Sequence, residues 1–366
     1  MQTRLCRCGA LLVAATPLLA LGQQADSRLD VAVDQLASGP ANPQEFGALA
    51  ESIPAEVVIA ALDDRLRNDP AFAPGERARL FAYQALLEVS EFDERGIRRY
   101  TDPRQIRLFI EALTHPGSGP ASDILRIAHL VDEQYVGRVV PAIESIFSVE
   151  NGPHSVAMQA LGLIGPAARS ALPVLQLVLV DPQSVNPRMT LDPAERKKYM
   201  EDYIESSIPE GWREEYRKFL ENPTAHAQWG WVTPEQSIIR FRSAAALARL
   251  RIDVSLVPDD LALYQTLDPL GQRAGALALV GIATETRGVF DGSPVTSAAV
   301  AGFLADVYGR DDARSSRMET VYVFGWVLSS DTTPATVKRA WRDALVRLLV
   351  GADPEFNRIA TQMLGG

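Results

Sequence analysis

Beyond its eighth residue the chain has no cysteine; Cys6 and Cys8 are the only two in 366 residues. Thiolate zinc sites, iron–sulfur clusters, covalently attached haem and cysteine nucleophiles are thereby excluded, because the thiols they require are missing. Disulfides are excluded with them, so side-chain packing must supply the stability. Histidine is scarce too. His115, His129, His154 and His226 are the four present, and none has a second His or a Glu at zinc-binding spacing. Lysine occurs only four times, no Lys/Arg run exceeds the three residues Arg196-Lys197-Lys198, and the formal net charge is −10. Phosphate backbones are held by clustered cations, so nucleic acid is not an expected partner. The strand–turn–helix serine elbow and the glycine-rich phosphate loops are absent. Pro116-Gly117-Ser118-Gly119 has neither the spacing nor a preceding strand for such an elbow and reads as a linker. No catalytic residue, metal ligand or cofactor-binding residue is assigned, and no cofactor is expected. Acid pairs remain at Asp63-Asp64, Asp259-Asp260 and Asp311-Asp312; the last two stand at helix starts, where carboxylates suit the helix dipole.

What is present is ordinary globular material, 47% apolar and 22% charged, preceded by an export signal. In residues 1–22, Arg4 and Arg7 give a positive start, Ala10 to Leu21 form the apolar run, and Ala20 and Gly22 place small residues before a cut at Gln23. The run is interrupted by Pro17 and falls short of the roughly 20 apolar residues that span a bilayer. Cleavage removes both cysteines, takes the net charge to near −12 and leaves no membrane span. The expected location is periplasmic or secreted.

Downstream the apolar spacing is helical. Asn42-Pro43-Gln44-Glu45 is a helix start, with a capping Asn, Pro at the first helical position and Glu three residues after the cap. Val57, Val58, Ala61, Leu62 and Leu66 follow at spacings of three and four. So do Ala78, Phe81, Ala82, Ala85, Leu86 and Val89, then Ile106, Phe109, Ile110 and Leu113. Val321 to Phe324 is the nearest approach to a strand and lies inside a longer helical pattern.

In residues 151–180 the pattern becomes a helical pair. Ala157, Ala160, Leu161 and Ile164 line a first helix, Gly165-Pro166 stops it, and Ala171, Leu172, Leu175, Val178 and Leu179 line a second. The small–Ala–Leu–apolar core recurs at Ser243, Ala246, Leu247 and Leu250 and at Gly275, Ala278, Leu279 and Ile282. Weaker copies start at Thr320 and Ala360, and the last three offsets between starts, 32, 45 and 40 residues, suit a two-helix repeat. On these residues the chain resembles the HEAT-repeat family, in particular its short phycobilisome-lyase HEAT-like form. The resemblance covers about residues 151–366 and implies an all-α fold, an α-solenoid of helical hairpins with a concave surface and no particular reaction. Residues 23–150 are either divergent repeats or a helical cap.

One segment, 181–236, breaks the repeat. Residues 191–221 hold 15 charged side chains in 31, and seven of the 26 aromatics fall between Tyr199 and Trp231. Pro193 and Pro209 mark two short amphipathic helices, followed by a loop over Asn222 to Trp231. Either these rings fasten an inserted hairpin to its neighbours or they project as a recognition element. In the second case Trp212, Tyr216, His226, Trp229 and Trp231 are the contact residues. The expected function is an exported, non-catalytic scaffold for a protein or peptide. An envelope glycan bound through the aromatic-rich insertion is the alternative, and a hydrolase with scattered carboxylates is the least favoured. Protein recovered from the exported fraction should have the intact mass of a chain starting at Gln23 and no titratable thiol; two thiols would show that the signal is retained.

Overall fold

The computed structural model describes residues 27–37, 43–74, 76–114, 120–149, 152–185, 201–202, 204–205, 208–220, 234–290, 292–310, 314–349 and 354–365. The signal segment 1–22 lies outside them, as do His115, Ser118 and Asp311-Asp312. The fold is mostly helical and divides into two compact units between Ser145 and Ile146.

In the first unit, α1 covers residues 27–37, followed by α2 (Pro43–Ser52), α3 (Ala55–Asn68) and α4 (Arg77–Glu88). Next come the short strands β1 (Glu91–Phe92) and β2 (Arg98–Arg99), then α5 (Pro103–Thr114), α6 (Ala121–Ile127) and α7 (Glu133–Ser145). Helical periodicity builds the core. Val58, Leu62 and Leu66 of α3 are buried with Ala82, Ala85 and Leu86 of α4 and Ile106, Phe109 and Leu113 of α5. α4 packs on α2 and α3, α3 on α5, and α5 on α7.

The antiparallel β1–β2 hairpin is not anticipated by a reading of helices throughout. Its turn is set by one side chain: Asp93 Oδ1 accepts the backbone N–H groups of Arg95 and Ile97, each at 2.9 Å. Tyr100, directly after β2, anchors it. Its backbone N–H donates to Leu130 O at 3.1 Å, its carbonyl accepts from Asp132 N at 3.1 Å, and its hydroxyl donates to Leu87 O at 2.7 Å. Its buried ring meets Phe109 edge-on at 5.5 Å. An Asp-x-x-Gly turn flanked by charged residues is a signal that apolar periodicity does not register.

The second unit begins with α8 (His154–Ile164) and α9 (Leu172–Val180), joined by 3₁₀ turns over Gly165–Ala171. By length and composition His154–Val180 is apolar enough to cross a membrane. The chain breaks it at Gly165 and buries Leu175, Val178 and Leu179. Gly165 has φ 71 and ψ −140, a glycine conformation outside the left-handed helical region that the stop signal predicts. The ring of Pro166 disfavours helical ψ at the residue before it, which accounts for the difference. His154, at the start of α8, is a core residue: its ring stacks on Phe147 and meets Phe241 edge-on, and Nε2 lies 2.9 Å from Val149 O. Burial lowers its pKa.

The unit continues with α10 (Glu210–Leu220), α11 (Pro234–Ile252), α12 (Val257–Thr266), α13 (Pro269–Thr286), α14 (Pro294–Gly309), α15 (Arg314–Ser329), α16 (Ala335–Leu349) and α17 (Pro354–Gly365). α11 packs on α8, α9 and α13, while α14 packs on α13, α15 and α16. Small residues set the closest approaches. A Cβ on Gly162 of α8 would lie 3.0 Å from the Ala248 Cα of α11. A Cβ on Gly275 would lie 2.5 Å from the ring of Tyr264, which is fully buried between α12 and its neighbours. Gly275→Ala is therefore expected to destabilise the fold by about 1–3 kcal/mol through overpacking. Denaturant titration measures it, and an unchanged midpoint would contradict the packing described.

Candidate interaction surface

The aromatic residues singled out in the insertion are only partly visible. Trp212 and Tyr216 lie on α10, whereas His226, Trp229 and Trp231 fall outside the described residues. α10 is tied to the residues before it by arginines. Arg213 donates to Ile208 O at 2.9 Å and to Glu205 at 2.6 Å, and Arg217 pairs with Glu201 and Glu205. Trp212 does not pack as a fastening residue would; it is 59% exposed, and Tyr216 is half-buried.

A second aromatic surface stands on α15. Thr320, Phe324 and Val327 turn into the core, with Val323 beside them, as the repeat pattern predicts. The opposite phase carries Tyr322 and Trp326, one turn apart and each 52% exposed. The Arg287 guanidinium lies over the Trp326 ring, 4.9 Å from its centroid. Sequence reasoning missed this trio because it looked for aromatic density, highest between Tyr199 and Trp231. The helical phase that identified Phe324 and Val327 as core marks Tyr322 and Trp326 as outward, but nothing in the sequence places Arg287 beside them.

Arg287 is held there by its backbone. It closes α13 with φ 56 and ψ 34, the left-handed region, which costs a non-glycine residue about 1–3 kcal/mol. Gly288 follows with φ 73 and donates to Ala283 O at 3.0 Å. The turn is fixed on both carbonyls. Thr333 Oγ1 donates to Arg287 O at 3.1 Å, and the buried Ser297 hydroxyl donates to Gly288 O. Ser297 Oγ in turn accepts from Trp341 Nε1 at 2.8 Å, and the Trp341 ring lies 4.8 Å from that of Phe324. The exposed Arg–Trp pair is thus mounted on a hydrogen-bonded core turn.

A buried polar cluster lies elsewhere in the same unit. Arg249 Nε donates to both carboxylate oxygens of Asp260 at 2.8 and 3.1 Å, and its Nη1 reaches Gln176 Oε1 at 3.0 Å and Leu172 O at 3.4 Å. Asp260 is 1% exposed. Of the Asp259-Asp260 pair at this helix start, only Asp259 is at the surface. Burial pushes the Asp260 carboxyl up to about 6, the Arg249 guanidinium pulling it partly back. Burial also raises the Tyr264 phenol well above its ordinary value. The Tyr264 hydroxyl has no hydrogen-bond partner among the described residues.

In the first unit two clefts flank the β-hairpin. One of about 350 Å³ is lined by Glu91, Phe92, Asp93, Arg99, Asp132 and Glu133, and one of about 200 Å³ includes Glu56, Glu91, Arg99 and Asp102. Several of these acids already serve the fold. Asp93 builds the turn, and Asp102 and Asp132 accept backbone N–H groups at the starts of α5 and α7. The raised carboxyl, Asp260, lines neither cleft. No protein-family model matches the chain, and no curated protein matches it.

The Arg249–Asp260 pair sets a stability test. Its folded-state value near 6 lies above the roughly 3.9 of an unfolded aspartate. The stabilising contribution of this group is therefore complete below about pH 4 and is lost as the pH rises through about 6. Asp260→Ala leaves a buried guanidinium without its carboxylate and should cost about 3 kcal/mol. Arg249→Met with Asp260→Leu should recover to within about 1 kcal/mol of the native protein at pH 7. Equilibrium unfolding of the three proteins from pH 4 to 8 would show the native protein losing ground to the double variant as the pH rises.

Proposed function

We propose that the protein is an exported, non-catalytic helical-repeat scaffold whose second unit stacks HEAT-like hairpins and binds a protein or peptide partner. The helix neighbours support the stacking. α8, α11 and α13 adjoin in succession, and α14 adjoins α16, as corresponding helices of successive hairpins would. The fixed Arg287–Trp326–Tyr322 surface carries the binding reading. Trp, Tyr and Arg are the residue types that dominate protein–protein binding energy, and rigid exposed rings lose little entropy on contact. Arg287 adds in-plane N–H donors that make no hydrogen bond among the described residues, suited to carbonyl or carboxylate acceptors on a partner.

Cross-linking in the native envelope followed by mass spectrometry tests the reading. Tyr322→Ala with Trp326→Ala should weaken capture of the partner by about 30-fold, equivalent to about 2 kcal/mol. Because both side chains are exposed, thermal stability should stay within about 0.5 kcal/mol of the native protein. Capture unaffected by this variant and by deletion of 191–231 would overturn the proposal. Quenching of tryptophan fluorescence by cell-wall fragments, with no protein captured, would favour a glycan ligand instead, for which exposed Trp212 and Trp326 offer stacking faces.

A further inference from the structure

Many arginines of this acidic chain are engaged by its own carboxylates. Arg65, Arg67, Arg99, Arg107, Arg242, Arg249 and Arg251 all pair with carboxylates of the same chain. Helix α16 departs from this. Its Val337, Trp341, Ala344, Leu345 and Leu348 are buried, and its other side carries Lys338, Arg339, Arg342 and Arg347 against one acid, Asp343. Arg347 reaches Asp306 only at 3.9 Å, between two exposed side chains. Lys338, Arg339 and Arg342 form no ion pair among the described residues; Arg339 and Arg342 are exposed, and Lys338 is half-buried. A helix with a net charge of +3 in a chain of −10 thus has one ion pair, that of Arg347, among the described residues. Val346, 50% exposed, lies among them.

We infer that the outer face of α16 is a docking surface for an acidic peptide segment of a partner protein. Resting on the scaffold reading above, the inference names the chemistry of the partner. Lys338, Arg342 and Val346 succeed one another at four-residue steps, and Arg339 and Arg347 lie along the adjacent line. From Lys338 to Arg347 the cations extend about 14 Å along the helix axis at 1.5 Å per residue. An extended segment covers that length with about five residues, of which roughly three alternate side chains face the helix. Two carboxylates at alternate positions therefore match the cations, and a third, apolar side chain matches Val346. Arginine is suited to the task because its planar fork binds a carboxylate through two parallel hydrogen bonds. Whereas an anionic surface would need only the charge, this arrangement also uses the apolar position between the cations.

Fluorescence anisotropy with a labelled peptide of the pattern Glu-Ser-Glu-Ser-Leu, and its counterpart with Lys in place of Glu, tests this on the full exported chain. The acidic peptide should bind and the basic one should not, with affinity falling as salt is raised. Arg339→Glu with Arg342→Glu should weaken binding at least about tenfold, and Arg339→Gln with Arg342→Gln by a smaller factor. Arg138→Glu, an exposed charge reversal on α7, should leave binding within about twofold. An equal loss with Arg138→Glu would reduce the effect to net charge and overturn the inference. So would binding of phosphatidylglycerol vesicles in place of the peptide, or sedimentation as a dimer that the α16 variant abolishes. If native capture still depends on Tyr322 and Trp326 while the acidic peptide fails to bind, this inference falls and the scaffold stands. Failure of both removes the scaffold reading as well.

Discussion

On the Arg249 side chain three helices of the second unit converge. From α11 it holds Asp260 of α12 through two hydrogen bonds and reaches Gln176 and the Leu172 carbonyl of α9. Removing a guanidinium and a carboxylate from water costs several kcal/mol each, and their attraction returns that only in part. The rise of the Asp260 carboxyl to about 6 expresses the same balance. What the pair supplies is geometry. Apolar side chains let helices slide, whereas a bidentate contact with two further acceptors defines how α9, α11 and α12 meet. Directly beside it, the Tyr264 ring fills the space left by Gly275, so the polar contact and the tight packing belong to one cluster.

A comparable arrangement mounts the exposed surface. Trp341, buried against Phe324, donates to Ser297, which donates to the carbonyl of Gly288 next to Arg287. Arg287 occupies an unfavourable backbone region at the end of α13, and hydrogen bonds from the core keep it there. A guanidinium lying over an indole at the surface is thereby linked to a fully buried tryptophan. Preorganisation of this kind lowers the entropy lost when a surface is engaged.

Much of the core was readable from residue spacing. Ala157, Ala160 and Leu161, and Ala278, Leu279 and Ile282, are buried as their periodicity predicts, and Pro43 opens a helix. Leu247 is a partial exception; it is half-buried where the repeat pattern predicts core. The β-hairpin was not readable in this way, because its position depends on Asp93 folding back on its own backbone and on Tyr100 reaching Leu87 and Leu130. Trp212 and Tyr216 stand one turn apart on α10, yet Trp212 faces solvent while Tyr216 is half-buried. Spacing defines a stripe on a helix but does not say whether another element covers it.

The sequence by itself determined the helical character of the chain and the phase of many of its helices, since composition and a period of 3.6 residues are local properties. Only the tertiary structure decided that Arg249 meets Asp260, that Arg287 lies over Trp326, and that Arg339 and Arg342 of α16 face outward with no ion pair among the described residues. Those are contacts between residues 11 and 39 positions apart, and in the last case the absence of one. Side-chain identity sets what such contacts can do, while the packing of whole helices sets which of them are made.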